Sequence, residues 1–159
     1  MKKDFSDLIA LGWREWISFP DWEVSNIKVK VDTGARTSSL HVGELEYFEK
    51  DSKSWVSFDI YPWQKTSREN IQISAPVTSF KYVKSSSGCQ EKRPVIIARL
   101  IIAGQEIMTE LTLTNRSTMG FRMLLGRGAI KKHFMVIPGK SYLGGKPPIE
   151  IRRKNRGRI

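Results

Sequence analysis

The run PVIIARLIIAGQEIMTELTLT, residues 94–114, constrains the fold more than any other stretch. Two arms rich in Val, Ile, Leu and Thr, 95–102 and 106–113, meet around Gly104-Gln105. β-branched residues favour extended backbone, and a glycine between two such arms marks a hairpin. The same signals recur along the chain. IKVKV (27–31) alternates with period two, and ELEYF (44–48) and WVSFDIY (55–61) flank the polar cluster EKDSKS as a second hairpin. NIQISAPV (70–77) alternates until Pro76, which lacks the N–H a central strand needs and so ends the strand or holds it at an edge. FRMLLG (121–126) and MVIP (135–138) read as short strands. KSSSGCQEKRP (84–94) reads as a polar loop, PGKSYLGGKPP (138–148) as a turn-rich one, and GRGAIKKHF (126–134) as a helix of about two turns. The closing IRRKNRGRI (151–159) reads as a frayed basic tail. Many short strands and one short late helix predict an all-β chain closed into a barrel, with a single domain over 1–150 and a tail over 151–159.

At 159 residues the chain can bury one real core. No apolar run reaches the roughly 18 residues of a membrane helix, and the opening MKKDFSDLIALGWREW is broken by charges, unlike a secretory leader. Cys89 is the single cysteine, so no internal disulfide or cysteine-built zinc site can form. A reducing, cytoplasmic setting and no membrane partner are expected. Residues 127–159 hold ten Lys or Arg and one acid, which accounts for +9 of the net +11. Such an end is either a solvated tail or an attractor of acidic protein, anionic lipid or nucleic acid.

Asp32-Thr33-Gly34-Ala35 follows the alternating strand directly, and Met123-Leu124-Leu125-Gly126-Arg127 comes some 90 residues later. Asp and Gly can simply make a turn. The ordered pair of motifs, however, resembles the retroviral-type aspartic peptidases, whose signature is an apolar strand, Asp-Thr/Ser-Gly-Ala and, later, two apolar residues with Gly and Arg before a helix. The resemblance is closer to a bacterial group of small retropepsin-like proteins, many of them named ATP-dependent zinc proteases. It rests on LGWREW (11–16), KVDTGARTSSLH (30–41), SSSG with RPVI (85–97), ELTLTNRSTMGFRMLLGR (110–127) and PGKSYL (138–143).

The resemblance implies an endopeptidase in which two carboxylates share one proton. The ionised one activates a water and the protonated one hydrogen-bonds the scissile carbonyl, with no metal, cofactor or covalent intermediate. The motif occurs once per chain, so two copies related by a twofold axis must bring Asp32 to its counterpart. The resemblance assigns Thr33 to locking the two loops, Gly34 to close backbone approach, Ala35 and Arg36 to the substrate groove, and Gly126 with Arg127 to the floor. It also associates the group with ATP-grasp enzymes that add glutamates to a ribosomal protein. An acidic or glutamate-tailed polypeptide is therefore the expected substrate, and nucleic acid is not favoured.

Two positions depart from the viral pattern. The residue after Asp-Thr-Gly-Ala is typically acidic there and pairs with the late Arg; here it is Arg36, facing Arg127. Either an acid from elsewhere sits between the two guanidiniums or both face an anion. The 92 positions from Gly34 to Gly126 exceed a minimal viral subunit, and both the 44–61 hairpin and the 84–94 loop are candidate flaps.

Other chemistries are weaker. His41, His133 and Cys89 have no metal-ligand spacing, there is no HExxH, and no phosphate-binding GxxxxGK[ST] is present. Ser85-Ser86-Ser87-Gly88-Cys89 lacks the hydrolase elbow. Trp13, Trp16, Trp22, Trp55 and Trp63 read as packing aromatics, because none falls in the basic C-terminal stretch where nucleic-acid stacking would need them. A zinc hydrolase and a non-catalytic module that binds acidic protein or RNA are the rival readings.

Overall fold

The computed structural model describes residues 4–65, 69–84, 87–115 and 120–157. In chain order the elements are β1 (Ile9–Leu11), β2 (Arg14–Phe19), β3 (Val24–Val31), β4 (Ser38–His41), β5 (Glu46–Lys50), β6 (Lys53–Ile60), β7 (Ile71–Pro76), β8 (Ser79–Lys84), β9 (Gln90–Ile102), β10 (Gln105–Thr114), β11 (Met123–Leu125), α1 (Arg127–Ile130), β12 (Phe134–Val136) and α2 (Ile149–Asn155).

Six strands close on themselves in the order β10-β4-β11-β3-β2-β9, with β9 pairing back to β10. This is the closed all-β barrel that the alternation predicts. Its interior is filled by the inward residues of each strand. Ile27, Val29 and Val31 of β3 meet Ile96, Leu100 and Ile102 of β9, Leu111 and Leu113 of β10 and Leu40 of β4, all of them buried. Strand period two puts Lys28 and Lys30 on the outside of the same strand.

The β9–β10 hairpin turns at Ala103-Gly104, both at positive φ (50° and 75°), one residue earlier than the sequence suggests. This is the two-residue turn whose twist suits a hairpin. Asp51 and Ser52 make the equivalent turn between β5 and β6, at φ 52° and 61°. β5, β6 and β7 form a separate three-stranded sheet, with Pro76 on the edge strand β7. Its Phe58 packs on Trp22, with ring centroids 5.9 Å apart, so this sheet shares the barrel's core. β5 to β8 account for most of the extra length between Gly34 and Gly126.

Three expectations need correction. The segment 84–94 is not all loop: Gln90–Pro94 already belong to β9 and pair with β8. Their polarity misled because one face of this stretch, Gln90 and Lys92, meets water, while the other is covered with its charges matched, Arg93 pairing with Glu91 at 3.1 Å. The helix expected over 126–134 is only Arg127–Ile130, because the chain must extend at Phe134 to pair in parallel with Ile9 of β1. The tail expected from residue 151 instead forms most of α2. Asn155 is 1% exposed and accepts from the Gln64 N–H at 2.9 Å, and Lys154 pairs with Glu69 at 2.6 Å. That docking also closes the sequence gap between tryptophans and basic residues: the Lys154 ammonium lies 4.7 Å from the Trp63 ring centroid. The expectations on Ser85, Ser86 and Arg158 fall outside the described residues.

Candidate active site

β3 and β11 run parallel, with Val31 opposite Leu125, so both strands deliver their following loops to the same end of the barrel. The Asp32 N–H donates to the Leu125 carbonyl at 2.8 Å, which continues the ladder by one residue before the chain turns. The turn is an Asx type: the Gly34 N–H donates to Asp32 Oδ1 at 2.9 Å and the Ala35 N–H to the Asp32 carbonyl at 3.3 Å. A Cβ on residue 34 would stand 3.1 Å from Asp32 Oδ1, so glycine keeps the carboxylate uncrowded.

The loop is held from below. The Arg127 N–H donates to the Ala35 carbonyl at 2.8 Å, the Gly128 N–H to the Arg36 carbonyl at 3.0 Å, and the Gly126 N–H to Ser38 Oγ at 3.0 Å. Arg127 also reaches up, its Nη1 donating to the Thr33 carbonyl at 2.8 Å. Residues 126–128 thus form a floor of backbone donors under residues 33–38. Thr33, Gly34 and Arg36 are exposed above it, while Asp32 and Ala35 are half-buried. The Asp32 carboxylate is therefore neither sealed in the core nor loosely held.

A cleft of about 590 Å³ opens beside the loop, lined by Arg36, Thr37, Lys81, Glu110, Arg127 and Lys131 among others. Arg36 and Arg127 come together there; Ala35 and Asp32 do not line it. Among the described residues neither guanidinium meets a carboxylate. Of the two arrangements the sequence left open, an acid lodged between them is thus not present in the described residues. Glu110 pairs instead with Lys81 at 3.5 Å, and Lys81 also donates to Thr37 Oγ1 at 3.3 Å. Those contacts bring β8, the first arm of the β8–β9 hairpin, alongside the loop. The 44–61 hairpin packs behind it, with Tyr47 and Phe80 ring centroids 6.0 Å apart.

His41 lies on β4 near the Tyr61 ring, and His133 precedes β12. Among the described residues no group of three or more His, Cys, Asp or Glu side chains could hold a metal ion.

Sequence reasoning missed Glu15. It is fully buried at 0% exposure, and its carboxylate accepts from the N–H groups of Gly12 (2.6 Å), Leu143 (3.0 Å) and Gly144 (3.0 Å). The adjoining Trp13 carbonyl accepts from Val31 at 2.8 Å, one residue before Asp32. LGWREW and PGKSYLGG are therefore two halves of one knot behind the aspartate strand. The only available signal was an acid in the same strand phase as the apolar, inward-facing Ile17 and Phe19.

The chain's relatives agree with this geometry. A family model described as RimB-like, retropepsin-like aspartic endopeptidase RimB, matches residues 10–147. A protein named probable alpha-L-glutamate ligase from Shewanella pealeana is 41% identical over 142 residues, 89% of this chain. One of the same name from Desulfotalea psychrophila is 40% identical over 138 residues, 87% of this chain. The chain spans about 30% of the length of those curated relatives. A Legionella pneumophila protein of unknown function, Lpg0085, shares the fold with a TM-score of 0.71 at 24% identity, over 85% of this chain and 97% of that one. With its Asp-Thr-Gly loop floored by Gly126 and Arg127 at one end of a closed barrel, the chain belongs to the RimB-like family of retropepsin-like aspartic endopeptidases.

Proposed function

We propose that the chain is one half of an aspartic peptidase whose active form is a twofold homodimer. One observation carries this reading: the Asp32-Thr33-Gly34 loop is pinned from beneath by residues 125–128 while Thr33 and Gly34 remain exposed. A loop built this way is suited to receive an identical loop on its open side. Asp32 of each copy then supplies one carboxylate of a pair. Two carboxylates at close range hold a single proton between them. The ionised member removes a proton from water as it attacks the scissile carbonyl, and the protonated member hydrogen-bonds the carbonyl oxygen and later protonates the leaving amine. Thr33 would bridge the two loops, and the β8–β9 hairpin would cover the bound chain.

The substrate we infer is a glutamate-rich polypeptide. Arg36, Lys81, Arg127 and Lys131 surround a cleft with one acid, and a run of carboxylates would complement them. The relatives named probable alpha-L-glutamate ligase support the same chemistry, since repeated ligation of glutamate makes such a run.

The test compares the wild type with Asp32→Asn on peptides ending in several glutamates, with and without chelator. Asn keeps the acceptor for the Gly34 N–H but cannot ionise, so cleavage should fall at least about 100-fold and be indifferent to chelator. Sedimentation should show a dimer at cleavage-competent concentrations. Equal cleavage by both proteins would remove the proposal.

A further inference from the structure

A second concentration of charge lies on the outer face of β2 and β3, away from the aspartate loop. Lys28 of β3 sits opposite Trp16 of β2 and is only 9% exposed. A buried ammonium normally meets a carboxylate. All 16 Asp and Glu side chains of the chain lie within the described residues, and none lines the pocket around Lys28. Two ring faces lie near its charge, Tyr142 at 5.6 Å and Phe121 at 5.8 Å from the centroids.

The pocket itself is small, about 50 Å³, and is walled by Trp16, Lys28, Tyr142, Lys146, Arg152 and Arg156 with Asn155 behind. A single water takes up roughly 10–15 Å³ of such space, so a group of about four or five heavy atoms fits. The Trp16 indole Nε1 is buried and has no hydrogen-bond partner. Arg152 uses its Nε on the Pro147 carbonyl at 3.2 Å, which holds the guanidinium in place. Lys146 and Arg156 are exposed at the rim. Four cations and an unused indole N–H thus converge from a strand pair, a loop and α2 on a space without a negative group. Such an arrangement repels itself unless an anion is present.

We propose that this pocket binds a phosphoryl group, with Trp16 and Lys28 contacting it from the floor and Lys146, Arg152 and Arg156 from the rim. A single carboxylate would leave most of the four charges unmatched; a dianionic tetrahedral group matches more of them and offers an oxygen to each wall. The ligand is inorganic phosphate or a small phosphomonoester. The site is independent of the cleavage reading and would stand if that reading failed.

The experiment is calorimetry, thermal melting and indole N–H NMR of the full chain at constant ionic strength, with sodium phosphate and with adenosine 5′-monophosphate as separate probes. Phosphate at 10 mM should raise the wild-type Tm by about 3 °C or more and shift one indole resonance, the one missing in Trp16→Phe. Lys28→Met removes a buried unpaired charge. It should melt no lower than wild type without phosphate and lose at least about nine-tenths of the affinity. Arg156→Gln, at the exposed rim, should weaken binding several-fold and keeps the test alive if Lys28→Met does not fold. Lys50→Gln, the same loss of charge elsewhere, should leave binding unchanged. At least about tenfold tighter binding of the monophosphate assigns a phosphomonoester; equal or weaker binding assigns free phosphate. No wild-type response at 10 mM, or an equal response in Lys28→Met and Arg156→Gln, overturns the site.

Discussion

Gly126 lies against Thr37 so closely that a Cβ on residue 126 would stand 2.7 Å from both the carbonyl carbon and the oxygen of Thr37. It would also stand 3.0 Å from the Ala35 carbonyl oxygen. Backbone is on both sides of this contact, so nothing flexible can give way. Gly126→Ala should therefore push the aspartate loop off its floor. The expected cost is about 1–3 kcal/mol of stability, the range for overpacking. Cleavage should fall more than stability, because the displaced group is Asp32. Chemical denaturation beside a peptide-cleavage assay checks both.

Glu15 carries the clearest stability prediction. Glu15→Ala strands the N–H groups of Gly12, Leu143 and Gly144 in a buried site and opens a cavity. Unmet buried donors cost about 1–3 kcal/mol each, part of which water recovers once the cavity opens. We expect a loss of about 3–5 kcal/mol and a fall in Tm on the order of 10 °C. Glu15→Gln keeps an acceptor oxygen and should lose less than half as much. Differential scanning calorimetry of the two variants distinguishes them.

Acid sensitivity should have a contribution from Glu69. Its carboxyl is held below the usual range, chiefly by the hydrogen bond from Lys154, then by the one from the Trp63 indole. A carboxyl with a depressed folded-state pKa stabilises the fold fully above its unfolded-state value, and that contribution is lost as pH falls through the depressed one. The advantage of wild type over Glu69→Gln should thus be greatest near neutral pH, shrink below the ordinary glutamate range, and vanish in stronger acid. Denaturation curves of the two proteins across pH 2–7 would reveal it. A constant gap would assign the effect to packing.

The basic cleft predicts a selective kinetic effect. Lys131→Glu places an acid among Arg36, Lys81 and Arg127 without touching Asp32. Exposed charges contribute about 0.2–1 kcal/mol each. KM for glutamate-rich peptides should rise about three- to fivefold while kcat holds. Raising the salt concentration should narrow the difference, since screening acts on the same interaction. A neutral peptide should show no such change.

The sequence made β3, its aspartate turn and the two long hairpins legible because their signals are local: alternation, β-branched side chains and turn glycines. The strand-to-glycine step at Leu125-Gly126 was readable as a motif, although its pairing with Val31 is not a local property. The start of β9 was not readable, since Gln90 to Arg93 are polar residues of a strand paired beyond the core. Nor was α2, whose two basic turns carry the composition of a loose end and gain their order from Gln64, Trp63 and Glu69. Glu15 was hidden for a related reason: its three partners lie partly on a loop 128 residues away in sequence. α2 and Glu15 escaped because they depend on contacts made at long range, and the start of β9 because its hairpin pairing is local but its composition is that of a loop.

The pairing of β3 with β11 also sets an order of events during synthesis. Asp32 is made early, but the backbone donors that seat its loop belong to residues 126–128, in the last quarter of the chain. Contacts so far apart in sequence form late in folding. A nascent chain therefore exposes the acid long before it can hold it in shape, and the carboxylate is seated only once residues 126–128 have been made.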